Sequence, residues 1–263
     1  MERKFGICAH CLNGGNELEA LPFIKEAGFG STFIANWQEP MVSQLKKRAD
    51  ELELELEFIH APFGNINDMW LTEEDPHIFN VMMQTIDSAG DNGIPQVILH
   101  VSSGWKPAIT ERGLDRFDRL VEHAREKGVK AAFENLRTTG IVAYFADRYY
   151  GDPAVGFCYD NGHEHCYTKT VCWPDIFTTQ ISCTHIHDNF SRALEDRTCN
   201  PDLHMLPFDG TCDFVRMMRK LDEYGYKGSL MLELFQPHTA YKDLSSQEFL
   251  KICYERLVRI SKM

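Results

Sequence analysis

Histidines and acidic residues recur in this sequence where apolar runs end, and these residue types are ones that hold divalent metal ions. Six runs show the pattern: ELEFIHAP, QVILHVSSG, VKAAFENLR, AVGFCYDNGHEH, ISCTHIHDN and SLMLELFQ. The candidate residues are His60, His100, Glu134, Asp160, His163, His185, Asp202, His204 and Glu233. Imidazoles and carboxylates bind Zn²⁺ and harder divalent cations, so these residues favour metal chemistry.

The elements that would position these residues alternate along the chain. Strand-like runs lie near 4–10, 30–35, 55–60, 95–101, 129–135, 154–160, 182–188 and 228–234. Amphipathic stretches lie at 16–28, 39–52, 75–92, 111–127 and 211–225, and a last one covers about 245–261. Eight strand-then-helix units in 263 residues predict an α/β fold, a single (β/α)8 TIM barrel. Because no linker or composition break interrupts the pattern, we expect one domain over residues 1–263.

The carboxyl ends of the strands would bring the polar residues together. In a parallel barrel these ends converge on one mouth, where barrel enzymes keep their active sites. Residues two apart on a strand share a face, so Glu134 shares its face with Ala132, and His185 with Cys183. We therefore expect three carboxylates and one imidazole to point into the mouth: Glu134, Asp160, His185 and Glu233. Such a donor set suits Mn²⁺, Mg²⁺, Co²⁺ or Zn²⁺.

Charge and composition favour a small-molecule substrate. The 27 basic and 39 acidic residues give a formal net charge of −12, which on average repels nucleic-acid backbones and anionic membranes. No apolar stretch approaches membrane-spanning length, and the first residues lack the apolar core of a signal peptide. The 9 cysteines lack the spacing of a disulfide framework and fit a reducing compartment. We therefore expect a cytoplasmic protein with no membrane partner.

Local motifs resemble one superfamily of barrels. FENLR at 133–137, DNGH at 160–163, HIHDN at 185–189 and the glutamate of LMLELF are similar to motifs of the xylose isomerase-like barrels. That superfamily contains sugar isomerases and epimerases and also the family 2 AP endonucleases. DLHMLPFDGTCDF at 202–214 resembles its Asp-x-His segment and Pro-Gly-x-Gly turn, with Phe208 in place of the first glycine, which predicts a reshaped turn. The resemblance also implies a homo-oligomer.

The resemblance implies a ligand set. It places the shared metal site of the superfamily on Glu134, Asp160, His185 and Glu233. His185 is preferred to His187 because His185 and Asp188 meet the His-x-x-Asp/Glu pattern, although His187 has the same strand parity. The AP endonucleases bind three zinc ions, and their additional ligands match His60, His100, His163, Asp202 and His204. These five either hold further metal ions or bind substrate hydroxyls.

The first functional hypothesis is a metal-dependent sugar isomerase or epimerase. The metal would stabilise an enediolate, and Glu134 and Glu233 would exchange the proton, as the matching pair does in the superfamily's epimerases. A dehydratase or lyase that uses the same enediolate is a variant. The epimerases' substrate-binding glutamate matches Gly140 here, so their specificity is not expected to transfer. Weaker substrate-binding candidates are Trp105, which could stack on a sugar ring, His187 and Arg192.

Two alternatives belong to other functional classes. A phosphodiesterase with three zinc ions, similar to the family 2 AP endonucleases, would use all nine candidate ligands. The acidic net charge and the absence of an obvious basic, aromatic DNA-reading loop count against nucleic acid as its substrate. A sugar-binding or regulatory barrel without catalysis is the third hypothesis, and the presence of both Glu134 and Glu233 counts against it.

Overall fold

Eight parallel strands form the centre of the molecule in a computed structural model that describes residues 3–104, 106–192 and 201–263. The strands are β1 (Phe5–Cys8), β2 (Ser31–Ile34), β3 (Glu55–His60), β4 (Gln96–Leu99), β5 (Lys130–Glu134), β6 (Val155–Asp160), β7 (Ile181–His185) and β8 (Leu230–Leu232). Each strand pairs with the next in the chain from β1 to β7, and β1 also pairs with β8. Just beyond β7, Ile186 bridges to Leu232 of β8 and brings the two ends of the sheet together. The predicted (β/α)8 TIM barrel is confirmed.

Helices follow the strands and cover the outside of the sheet. They are α1 (Glu17–Glu26), α2 (Met41–Glu51), α3 (Asp68–Leu71), α4 (His77–Asp91), α5 (Glu111–Lys127), α6 (Thr139–Arg148), α7 (Asn161–Tyr167), α8 (Trp173–Phe177), α9 (Phe214–Glu223) and α10 (Ser246–Ile260). Short 3₁₀ turns occur at Thr178–Gln180 and Gln236–His238. No helix in the described ranges combines the length and apolarity required to cross a membrane.

Local sequence signals determine where several helices begin and end. The Thr110 side chain accepts a hydrogen bond from the backbone N–H of Gly113 at the start of α5, and Gly128 ends that helix with φ +67°. Ser245 and Glu248 form a reciprocal capping box at the start of α10. Side-chain caps and a left-handed C-terminal glycine satisfy backbone groups that a helix leaves unpaired. These signals are readable in the sequence.

The core lies between the sheet and the helices. On α5, Phe117, Leu120 and Ala124 are fully buried, and the Phe117 ring packs edge-to-face against Phe133 of β5. Strands that are buried on both faces read as nearly continuous apolar runs, and for this reason they were visible in the sequence. The packed core leaves the polar strand ends and the loops beyond them as the place for chemistry.

The strands are shorter than the apolar and polar runs suggested. β7 ends at His185, whereas the sequence predicts a strand that continues to 188, and β8 consists of Leu230–Leu232 only. Three of the nine candidate ligands therefore do not end a strand: His163 lies on α7, and Asp202 and His204 lie in the connection between β7 and α9. The expectation that these three residues stand at strand ends is wrong, because the chain leaves the sheet before it reaches them.

Candidate metal centre

Four side chains meet at the carboxyl end of the barrel. Glu134 and Asp160 are the last residues of β5 and β6, His185 is the last residue of β7, and Glu233 directly follows β8. All four are buried. The Nδ1 atom of His185 lies 3.0 Å from Oε1 of Glu134, 3.4 Å from Oε2 of Glu233 and 3.9 Å from Oδ2 of Asp160. The donor atoms of the four residues lie within 4.8 Å of one another, close enough to hold one cation.

Glu134 links this group to a second one. Its Oε1 atom faces His185 and, at 3.4 Å, Nδ1 of His163. Its Oε2 atom lies 2.8 Å from Nε2 of His100 and 3.4 Å from Nε2 of His60. Each oxygen of this one carboxylate therefore faces two imidazoles. His60, His100 and Glu134 form a group of three possible metal ligands that shares Glu134 with the group of four.

A third group lies on the other side of Asp160. Asp202 Oδ2 is 3.1 Å from Nε2 of His163 and 3.4 Å from Nε2 of His204. His187 belongs to this group and not to the first: its Nε2 atom is 3.2 Å from Asp160 Oδ1 and 3.6 Å from Asp202 Oδ1, and its ring stacks on His204 at 4.0 Å. The structure thus separates His185 and His187, which shared a strand parity in the sequence.

Backbone carbonyls orient three of the imidazoles. The Nδ1–H groups of His60, His163 and His204 donate to the carbonyl oxygens of Ala61, Asn135 and Glu233, at 3.0, 2.9 and 3.0 Å. A carbonyl oxygen only accepts, so each neutral ring carries its proton on Nδ1 and keeps the Nε2 lone pair for another partner. Metal-binding histidines are held in the same way, by a hydrogen bond from the ring nitrogen that does not bind the metal.

Unpaired buried oxygens also fit a cation. Asp160 Oδ1 accepts the backbone N–H of His163 at 2.6 Å, whereas Oδ2 is buried and has no hydrogen-bond partner among the described residues. The same holds for Asp202 Oδ1. Burying a charged oxygen without a partner is costly, and a metal ion would remove that cost. The residues present therefore fit a divalent metal, and their mixed oxygen and nitrogen donors do not select one element.

The electrostatics of the centre show how tightly these groups interact. Burial by itself would lower the pKa of His185, but the carboxylates of Glu233 and Glu134 outweigh burial and raise that pKa to about 10. His204 follows the same pattern, with Asp202 as the main charged partner, and its pKa is also raised to about 10. Burial would raise the pKa of Glu233, but His185 and His204 lower it to about 2. Without a metal, protons on the histidines therefore balance the carboxylates at neutral pH.

Metal uptake is expected to release protons, because a histidine binds metal only in its neutral form. His185 and His204 have pKa values raised to about 10, so both are charged near pH 7 in the metal-free protein. Their charged forms stabilise that protein most fully below about pH 6.5, and the stabilisation is lost as pH rises towards 10. Metal affinity should therefore rise with pH over this window. Titration calorimetry in two buffers of different ionisation enthalpy measures the protons released, and affinity independent of pH would contradict the expectation.

A cavity of about 490 Å³ opens above the three groups. Its lining includes candidate ligands from each group together with the aromatic rings of Phe63, Tyr167 and Phe235. It also includes Arg137, which sequence analysis did not single out, although it is the last residue of the FENLR motif. A volume of this size suits a small organic ligand, held by the rings and a few polar groups.

The structure describes some of the weaker substrate-binding candidates and also the turn at Phe208. Arg192 lies with its guanidinium 5.5 Å from the centre of the Tyr167 ring, and its Nε donates to the Cys166 carbonyl at 3.1 Å. Trp105 lies outside the described residues. Phe208 adopts φ +75°, the left-handed conformation that the expected glycine would supply, so the backbone there is glycine-like rather than reshaped at this residue.

Asp188 holds the loop that carries the third group. Its carboxylate accepts the backbone N–H groups of Phe208 and Gly210 through Oδ2, at 2.8 and 3.0 Å, and that of Cys212 through Oδ1 at 2.9 Å. The Asp188 backbone also pairs with Met205 in both directions. Asp188 therefore positions the segment that follows Asp202 and His204. Among the described residues, none of the groups of possible metal ligands includes Asp188.

Most of the chain matches one family of known proteins. Residues 21–253 match the family described as xylose isomerase-like TIM barrel. The uncharacterised protein y4fM of Sinorhizobium fredii is 29% identical over 168 residues, which are 58% of this chain and 51% of that protein, so the match spans about half of the relative's length. The uncharacterised protein MJ1311 of Methanocaldococcus jannaschii is 22% identical over 288 aligned positions, covering 100% of this chain and 94% of that protein.

Several solved structures share the fold. The IolI protein with a bound zinc atom has a TM-score of 0.78 at 17% identity, over 98% of this chain and 97% of that one. A D-tagatose 3-epimerase-like protein has a TM-score of 0.73 at 20% identity, over 98% of both chains. The 3-keto-D-glucoside 4-epimerase YcjR of E. coli has a TM-score of 0.73 at 16% identity, over 100% of both chains. Together with the family match over residues 21–253, the barrel and its strand-end residues show that this chain belongs to the xylose isomerase-like TIM barrel family.

Proposed function

We propose that this protein is a divalent-metal-dependent isomerase or epimerase of a small sugar, acting through an enediolate. One observation carries the proposal: Glu134, Asp160, His185 and Glu233 form a buried group of possible metal ligands, and Glu134 and Glu233 of this group line a cavity of about 490 Å³. Two of the structurally similar proteins are named as sugar epimerases or epimerase-like, and IolI was solved with zinc. When bound, the metal would supply positive charge that stabilises negative charge on the substrate oxygens.

Glu233 is the best-placed base. Its shortest contacts with His185 and His204, at 3.4 and 3.7 Å, are both made by Oε2. We propose that Oε1 takes a proton from a substrate carbon and returns it to the neighbouring carbon. In the metal-free protein, His185 and His204 lower the pKa of Glu233 to about 2, so its carboxylate is ionised there.

Glu134, the other residue expected to exchange the proton, is less suited to this role. Both of its oxygens already face imidazoles, His185 and His163 on one and His100 and His60 on the other. Epimerisation by two bases needs an acid on each side of the substrate carbon, whereas isomerisation can return the proton to the same face with one base. Within the proposal, we therefore favour isomerisation through Glu233, with Glu134 as a ligand.

The proposal is tested by metal content and by carbon-bound hydrogen exchange. We expect at least one divalent metal per chain by elemental mass spectrometry, and loss of all turnover when a chelator removes it. Aldose and ketose pairs are incubated with the metal-loaded protein in D₂O, and NMR follows both product formation and deuterium at the carbon next to the carbonyl. If no member of the panel exchanges or isomerises, the isomerase proposal is wrong.

A specific observation supports a second candidate, a phosphodiesterase that uses three zinc ions. Three of the groups of possible ligands together contain the nine candidate ligands and His187, with Glu134 shared by two of the three, and such an enzyme needs one group for each of its three metal ions. The formal net charge of −12 disfavours DNA as its substrate. About three zinc ions per chain together with incision of abasic-site DNA would place this candidate first, whereas three zinc ions without incision would not.

A further inference from the structure

We infer that the substrate carries a carboxylate or phosphate group and that Arg137 binds it in the wall of the cavity. The inference deepens the proposed function, on which it rests, by naming a substrate class: an anionic sugar rather than a neutral one. Arg137 lies in the loop between β5 and α6, three residues beyond Glu134. The metal ligands and this arginine therefore border the same cavity.

Arg137 is the one lysine or arginine among the described residues that line the cavity. The acidic lining residues are Glu134, Asp202 and Glu233, and all three belong to the groups of possible metal ligands. The lining histidines also belong to these groups, except for His10. A permanent cation in such a lining has no role in holding a metal. It is a binding group for a ligand of opposite charge.

The position of the guanidinium is set by an aromatic ring. Its carbon lies 4.7 Å from the centre of the Tyr167 ring, and one of its terminal nitrogens donates to the Tyr167 hydroxyl at 3.2 Å. Stacking and one hydrogen bond hold the plane of the guanidinium while most of its five N–H groups stay available. A planar donor of this kind matches the two oxygens of a carboxylate or phosphate.

Arg137 has no carboxylate within 4.0 Å in the described part of the chain, whereas several other arginines of the fold have one. Arg148 pairs with Asp118 and the half-buried Arg216 pairs with Glu164. An unpaired guanidinium in a cavity wall is costly to desolvate, and a neutral sugar would leave its charge unbalanced. An anionic group on the ligand would balance it.

The surroundings of Arg137 add positive potential. Helix α6 begins at Thr139, and the preceding Thr138 makes no side-chain cap with the first-turn N–H groups. The Lys106 ammonium lies over that turn: a Cβ at Gly140 would be 2.9 Å from Lys106 Nζ. Lys106 also has no carboxylate within ion-pair distance among the described residues. A helix N-terminus and an ammonium group both favour an anion nearby.

The test compares three ketoses that differ only at C6: D-fructose, D-fructuronate and D-fructose 6-phosphate. Binding to the metal-loaded protein is measured by titration calorimetry. We expect at least one charged ketose to bind about tenfold or more tightly than D-fructose, as a hydrogen-bonded ion pair provides. The charged ketose that shows the preference identifies carboxylate or phosphate as the source. Arg137→Met should remove the preference, and Arg137→Lys should keep part of it.

The control is Arg219→Met, which removes the same charge from an exposed site on α9 and should leave the preference unchanged. Metal content of each variant shows that the centre is intact. The inference is overturned if D-fructose binds as tightly as both charged ketoses, if the preference survives in Arg137→Met, or if neither charged ketose binds. If a charged ketose binds more tightly than D-fructose in an Arg137-dependent way but no isomerisation occurs, the proposed reaction is wrong and the proposed anion site is supported.

Discussion

Glu134→Gln is expected to weaken metal binding by more than about 100-fold and to abolish turnover. The expectation follows from the two oxygens of this carboxylate, which face His185 and His163 on one side and His100 and His60 on the other. A glutamine keeps the shape but loses the charge, and its amide nitrogen can only donate. Glu134 belongs to three of the groups of possible metal ligands, and each would lose this member at once.

The matched control is Glu57→Gln. Glu57 is a partly buried glutamate of β3 that accepts a hydrogen bond from Ser229, away from the metal groups, and burial raises its pKa. A neutral glutamine should therefore be tolerated there with full metal content. Elemental mass spectrometry and thermal unfolding are measured on both variants. Full metal occupancy in Glu134→Gln would show that this carboxylate is not a ligand.

Glu233→Gln is expected to leave the barrel folded and to lower kcat by about 1,000-fold or more, because it removes the proposed base. The shortest contacts of this side chain with His185 and His204 are made by Oε2, and Oε1 is the oxygen to which the proposal assigns proton transfer. Wild-type protein should also place solvent deuterium on the substrate carbon, and the variant should not. Metal content is measured in parallel, because a variant that retains metal but lacks exchange separates the base from the ligand.

An exposed glutamate of α10 supplies the control for this second substitution. Glu255→Gln makes the same chemical change far from the strand ends and should keep the wild-type rate. Full activity in Glu233→Gln would refute the proton-transfer role. A loss of activity that is matched by loss of metal would assign Glu233 to binding the metal only.

The hydrophobic periodicity of the sequence, together with the residues that begin and end helices, was sufficient to predict the order and type of the main elements. The helix expected over 111–127 is α5, with a threonine cap before it and a left-handed glycine after it. The barrel followed from eight such units. Strand ends were less well predicted, because the apolar run of β7 continues through Ile186 although regular pairing stops at His185. The end of a strand depends on where the neighbouring strand stops pairing with it, and local composition does not contain that information.

The sequence by itself determined which residue types stand at or beyond the strand ends, and therefore that metal chemistry was possible. Only the tertiary structure decided how these residues divide into groups, with Glu134 shared, and that His187 joins Asp202 and His204. It also placed Arg137 in the same cavity. The reason is physical: closure of the barrel and the register of its strands set distances between residues that are tens of positions apart. No local pattern encodes those distances.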